Sequence, residues 1–143
     1  MKKNVPVKSI LFLCTGNSCR SQMAEGFAKK YAPKEMKIYS AGIKAHGLNP
    51  FAVQVMKEAG IDISDQTSKT VDTIPQSEIN MVITVCGHAH ETCPVFPGNV
   101  RRLHWDIEDP VKAKGSEEEM LDVFRKIRDI LQRKIENFFQ NYN

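Results

Sequence analysis

Cys14, Arg20 and Ser21 belong to one stretch, Cys14-Thr15-Gly16-Asn17-Ser18-Cys19-Arg20-Ser21, whose residue types suit nucleophilic attack on an oxyanion. An apolar run, Ser9-Ile10-Leu11-Phe12-Leu13, precedes it, and a helical pattern, Gln22 to Ala28, follows. A loop entering a helix N-terminus presents backbone N–H groups without internal partners, and the helix dipole adds positive potential there. The N–H groups of Thr15, Gly16, Asn17, Ser18, Cys19 and Arg20 are therefore candidates to bind one tetrahedral anion, Gly16 letting the backbone curl. Arg20 adds a planar fork that takes two oxygens at once, which a lysine cannot imitate. The same positive surroundings predict a lowered pKa for Cys14, and so a thiolate nucleophile at neutral pH. Ser21 is placed to offer its hydroxyl to that thiolate. A lone cysteine ending a strand is ordinarily a packing residue. Cys-x5-Arg-Ser between a strand and a helix is far more specific.

Three further cysteines and an aspartate need a role. Cys86 and Cys93 stand seven residues apart in a segment that also holds His88, His90, Pro94 and Pro97. In an unbroken helix that spacing is about 10.5 Å of rise, whereas a disulfide needs Cα atoms within roughly 4.4–6.8 Å. A bond between them would require a mobile loop or weak helix able to bend. Cys86, His88, His90 and Cys93 are also acceptable zinc ligands, although the spacing fits no common zinc pattern; two unrelated cysteines are the plainest alternative. Asp109-Pro110 could place a carboxyl over the anion site, where partial burial would raise its pKa and let it protonate a leaving oxygen. Asp106 and Glu108 compete for that place. Cys19 lies within the loop, where its N–H matters and its thiol reads as silent.

The chain has 143 residues, enough for one domain over residues 1–143 with a substantial core. Hydrophobic residues make up 41% and charged residues 26%, ordinary for a globular protein. A net charge of +3 suits the capture of a small anion but supplies no basic stripe for nucleic acid. Lys8 and Pro6 interrupt the apolar residues of the N-terminus, so no export signal forms, and no run approaches the ~20 apolar residues of a membrane span. A cytoplasmic protein is expected. In that reducing compartment four cysteines are no evidence for a structural disulfide framework.

The elements that must position these groups alternate in type. Strands are predicted at Ser9–Leu13, Lys37–Ala41, Asn80–Val85 and Val100–Trp105, the last at a sheet edge because of its charges. Helices are predicted from the loop to about Tyr31, from an Asn49 cap with Pro50 at its first position to Gly60, and from a Ser116 cap onward. Residues 61–78 read as a loop plus a short helix. In the last helix Met120, Val123, Phe124, Ile127, Leu131, Ile135 and Phe138 keep helical spacing and should face the sheet. The class is α/β, a four-stranded parallel sheet flanked by helices on both faces. Ligands bind such sheets beyond the strand carboxyl ends, near a reversal in strand order. If the first and third strands are neighbours, roughly 4.8 Å apart, Cys14 and Cys86 share one sheet edge.

With Cys14-x5-Arg20-Ser21, Asp109-Pro110 and the Cys86/Cys93 pair together, the chain resembles the thioredoxin-coupled arsenate reductases built on the low-molecular-weight protein tyrosine phosphatase fold. The likeness runs from Phe12 to Gly26, through Tyr39-Ser40-Ala41-Gly42 and His46-Gly47-Leu48-Asn49-Pro50, to Trp105 through Pro110. The resemblance implies that Cys14 attacks arsenate held by the loop and Arg20, while Asp109 assists loss of oxygen. It implies a Cys14–Cys86 disulfide, then a Cys86–Cys93 disulfide, with thioredoxin as electron donor. It further implies that no cofactor or metal is bound, that arsenate is the substrate with phosphate or sulfate competing, and that the chain acts as a monomer. Some members of that family hold potassium behind the loop. Asn17, Glu25 and Ser40 match three of its ligand positions but Lys69 falls on the fourth, which leaves two alternatives: its ammonium takes the cation's place and pairs with Glu25, or it points into solvent. The rival functions are a tyrosine phosphatase using the same loop and a non-catalytic oxyanion-binding module.

Overall fold

The computed structural model describes residues 7–91 and 93–141. Four strands, β1 (Ser9–Cys14), β2 (Lys37–Gly42), β3 (Met81–Thr84) and β4 (Arg101–His104), form one parallel sheet in the order β2-β1-β3-β4. The helices are α1 (Arg20–Tyr31), α2 (Pro50–Glu58), α3 (Gly87–Glu91) and α4 (Glu117–Gln140). β1 is central and every one of its residues is buried, so both faces of the sheet are covered at that strand. β4 lies at the edge, as its charged residues lead one to expect.

The local signals act where the sequence places them. Asn49 Oδ1 accepts from Phe51 N–H (2.8 Å) and Ala52 N–H (3.2 Å), which starts α2 with Pro50 at its first position. Ser116 and Glu119 cap α4 reciprocally, and three glutamates occupy its first turn. Leu121, Phe124, Ile127, Leu131 and Ile135 form its buried stripe. Met120, Val123 and Phe138 are only half-buried, and Leu121, not expected inward, is buried. The stripe meets other helices as well: α4 packs against α1 and α2, with Phe51 edge-on to Phe124.

Some boundaries differ from the sequence expectation. Residues 61–78 are a loop with two short 3-10 helices, Val71–Thr73 and Gln76–Glu78, where one short helix was expected. Asn80 precedes β3, and its Oδ1 accepts from Lys8 N–H (2.6 Å) and Ser9 N–H (3.1 Å), pinning the start of β1. Trp105 follows β4 and stands between Phe12 and Phe138. α1 to β2 runs to one side of β1, and the chain then returns to β3 on the other side. The reversal in strand order falls between β1 and β3, which are hydrogen-bonded neighbours with Leu13 opposite Thr84. Cys14 and Cys86 both lie at that edge.

Candidate active site

The loop between β1 and α1 is shaped from outside by the segment that follows β2. Ile43, Lys44, His46 and Asn49 donate their N–H groups to the carbonyls of Cys14 (3.1 Å), Thr15 (2.9 Å), Gly16 (2.9 Å) and Ser18 (3.1 Å). With the carbonyls turned outward, the opposite side of the loop faces a cavity of about 610 Å³. α1 begins there with no side-chain cap and no acidic residue in its first turn, so its first N–H groups remain available to an anion.

Gly16 is required for a reason other than curling. Its φ is not in the left-handed region; a Cβ there would meet His46 Nδ1 at 2.5 Å and Cγ at 2.9 Å. The left-handed residue is Asn17, with φ of 47°. Its side chain supplies what holds that conformation: Nδ2 donates to Ser21 Oγ (2.8 Å) and Ser40 Oγ (3.0 Å), and Oδ1 accepts from Lys69 N–H (2.8 Å) and Gln22 Nε2 (3.0 Å). Gly42, at the end of β2, presses against this turn. A Cβ on it would meet Asn17 N at 2.7 Å.

Cys14 Sγ is buried and lies 2.8 Å from Ser21 Oγ and 3.2 Å from Asn17 N, whose N–H donates to it. Because Asn17 Nδ2 already donates to the Ser21 oxygen, the Ser21 hydroxyl proton is available to the sulfur. Asn17 N–H thus donates to the nucleophile, and the residue itself does not line the cavity. Thr15, Gly16, Ser18, Cys19 and Arg20 do. Burial pushes the Cys19 thiol up to about 12, so it keeps its proton at neutral pH and is a poor nucleophile.

Arg20 is held from behind. Its Nη1 donates to Ile107 O (3.0 Å) and its Nη2 lies 3.6 Å from Asp109 Oδ2, with only 12% of the side chain exposed. Asp109 lines the same cavity and also accepts from Val111 N–H, whereas Asp106 and Glu108 are exposed and do not line it. The structure thus selects Asp109 among the three acids. His46, Asn49, Val111 and Lys112 also line the cavity; the sequence marked Asn49 as a helix cap and His46 and Asn49 as part of the family resemblance, but gave none of the four a role in the site.

Cys86 is buried on the same cavity, its Sγ 3.2 Å from Thr15 Oγ1 and accepting from Ala89 N–H at 3.4 Å. Cys93, at the other end of α3, lines a separate cleft with Val82, Thr84 and Arg102. All four cysteines are free. A common metal on Cys86 and Cys93 does not fit this placement; the side chains of His88 and His90 lie outside the described structure.

Behind the loop, Glu25 is not paired with Lys69. Lys69 turns its ammonium to Thr67 O (2.8 Å), and the partner of Glu25 is Lys29, with Nζ 2.6 Å from Oε2. Lys29 is one helical turn further along α1, the spacing that brings two side chains together. Ser40 Oγ donates to the other carboxylate oxygen (2.5 Å). Glu25, Ser40 and Asn17 are thus linked in one hydrogen-bonded chain, with Lys29 on the Glu25 carboxylate.

A parallel α/β sheet carrying a cysteine-arginine oxyanion loop at its strand-order reversal defines a class of enzymes that form a covalent bond between cysteine and a tetrahedral oxyanion. Residues 9–143 match the model for the low molecular weight phosphotyrosine protein phosphatases, and the chain belongs to that family. It is 56% identical over 131 residues to an arsenate reductase of Halalkalibacterium halodurans, covering 92% of this chain and 94% of that one. Among solved structures it is similar to an arsenate reductase in the oxidized state (33% identity, TM-score 0.80, 93% and 97% of the two chains). It is also similar to an arsenate reductase in the phosphate binding state (33% identity, TM-score 0.76, 95% and 99%). Among the described residues no helix is long and apolar enough to cross a membrane.

Proposed function

We propose that this chain reduces arsenate to arsenite through its own thiols and is returned to the reduced state by thioredoxin. Arsenate enters with its oxygens on the α1 N-terminus and the Arg20 fork. The Cys14 sulfur attacks arsenic, and an oxygen leaves as water with a proton from Asp109. Cys86 then attacks the Cys14 sulfur: the S–S bond forms, the S–As bond breaks, and its electron pair stays on arsenic as arsenite departs. Cys93 attacks Cys86, releasing Cys14 and moving the disulfide to Cys86–Cys93, where the thioredoxin dithiol takes it over. No bound cofactor is needed, because one dithiol supplies both electrons. The cycle requires reduced thiols at rest, so we assign it to the cytoplasm.

The observation that carries this reading is that Cys86 and Cys14 lie on one cavity, with Thr15 bonded to the Cys86 sulfur. A phosphatase has no use for a second cysteine there. Among the described residues lining the cavity there is no Phe, Tyr or Trp, the side chains that would wall a phosphotyrosine pocket. Weak activity on aryl phosphates still follows from the shared loop.

Prereduced protein mixed once with arsenate tests the proposal. One arsenite per chain and loss of the Cys86 and Cys93 thiols are expected. Arsenate bound without arsenite release would reduce the site to an anion-binding module, and phosphate-ester turnover without thiol loss would make it a phosphatase.

A further inference from the structure

Arg102 makes three contacts with a single short segment. Its Nη1 donates to Cys93 Sγ (2.8 Å), its Nη2 donates to Pro94 O (3.2 Å), and its Cζ stands 6.0 Å from the centre of the Phe96 ring. Phe96 is buried, so the segment is anchored at one end by its ring and at the other by the sulfur. The cleft that Cys93 lines is bordered by β3 and β4 side chains, whereas Cys86 faces the anion cavity. A guanidinium fork spanning a sulfur and the next carbonyl fixes both position and direction, which a point charge cannot do. None of these contacts serves the anion site.

We propose that Arg102 is a positioning residue for Cys93: it holds the outer thiol on the sheet edge, and closing the Cys86–Cys93 disulfide requires that hold to be released. The inference rests on the relay described above and adds a residue to it. The contact is made to a free thiol; if disulfide closure releases it, Arg102 favours the dithiol over the disulfide and makes the oxidised protein easier to re-reduce.

The test is a redox titration of the full chain in dithiothreitol buffers without arsenate, with the Cys86–Cys93 bond quantified by mass mapping. Oxidised dithiothreitol accepts the two electrons and two protons released as that bond closes. In Arg102→Met, half-oxidation is expected at a ratio of oxidised to reduced dithiothreitol about three- to fivefold lower than in the parent, the scale of an exposed charge-assisted contact. Arg102→Lys keeps the charge but loses the fork, and should shift the same way by less. Arg101→Met, which removes a neighbouring charge from the same strand, should not move the ratio. An unchanged ratio in Arg102→Met, or an equal shift in Arg101→Met, overturns the proposal. A parent that forms the outer disulfide here yet releases no arsenite from arsenate sinks the proposed function and leaves the role of Arg102 standing. A parent that never forms that bond sinks both.

Discussion

Thr15 Oγ1 and Cys86 Sγ lie 3.2 Å apart, joining the residue after β1 to the cysteine that follows β3. The contact keeps the second sulfur beside the first without bonding to it. Replacing Thr15 by Val should leave anion affinity within a factor of two or so and slow closure of the Cys14–Cys86 bond about fivefold, the loss of one hydrogen bond. Rapid-quench alkylation after one arsenate addition measures it. Unchanged closure would show that β-sheet adjacency alone places Cys86.

Asn17 holds the loop through four side-chain hydrogen bonds, three of them with Ser21, Ser40 and Gln22, which are themselves buried. Asn17→Ala strands those partners and should cost about 3 kcal/mol of stability, with phosphate affinity falling in parallel. Thermal unfolding and calorimetric titration of phosphate give the two numbers. A stable variant with intact affinity would mean the loop is held by the 43–49 segment alone.

Asp109 is set against Arg20 on the rim of the anion cavity. Asp109→Asn keeps the shape and removes the proton source, so single-turnover arsenite formation should slow about a hundredfold. Arsenate binding, relieved of a nearby negative charge, should not weaken. Loss of binding instead of rate would make Asp109 a strut for Arg20 and not an acid.

Glu25 has its carboxylate met by Lys29 and Ser40. Activity in potassium and sodium salts of equal ionic strength should therefore agree, and Lys29→Met should be the variant in which a monovalent cation begins to matter. A several-fold preference for potassium in the unaltered chain would contradict this pairing.

Burial holds the Cys19 thiol's pKa up to about 12, above the ordinary cysteine value of 9.0. A raised folded-state pKa means the native form binds the proton more tightly than the unfolded one. The stabilisation is complete below about 9 and is lost as pH rises toward about 12. Cys19→Ala should flatten that part of the stability curve, read by urea unfolding across alkaline pH. In the parent, iodoacetamide at pH 8 should spare Cys19 among the four cysteines.

What the sequence determined by itself was local. Cys14, Arg20 and Ser21 are spaced for a strand–loop–helix anion site, and Asn49 with Pro50 and Ser116 with Glu119 start their helices where expected, because each signal acts within a turn or two of chain. The alternation of strands and helices pointed to a parallel sheet, but β1–β3 adjacency was only a condition in the sequence and was set by the tertiary structure. The partners of charges did not follow. Glu25 takes Lys29 rather than Lys69, the left-handed loop residue is Asn17 rather than Gly16, and Gly16 is small because His46 packs on it. Asp109 was already the sequence's candidate, and the tertiary structure put it, not Asp106 or Glu108, on the cavity; only the tertiary structure placed Cys93 on Arg102, away from the cavity of Cys86. Those choices depend on which segments, distant along the chain, are brought within hydrogen-bonding range, and residue type and spacing do not encode that distance.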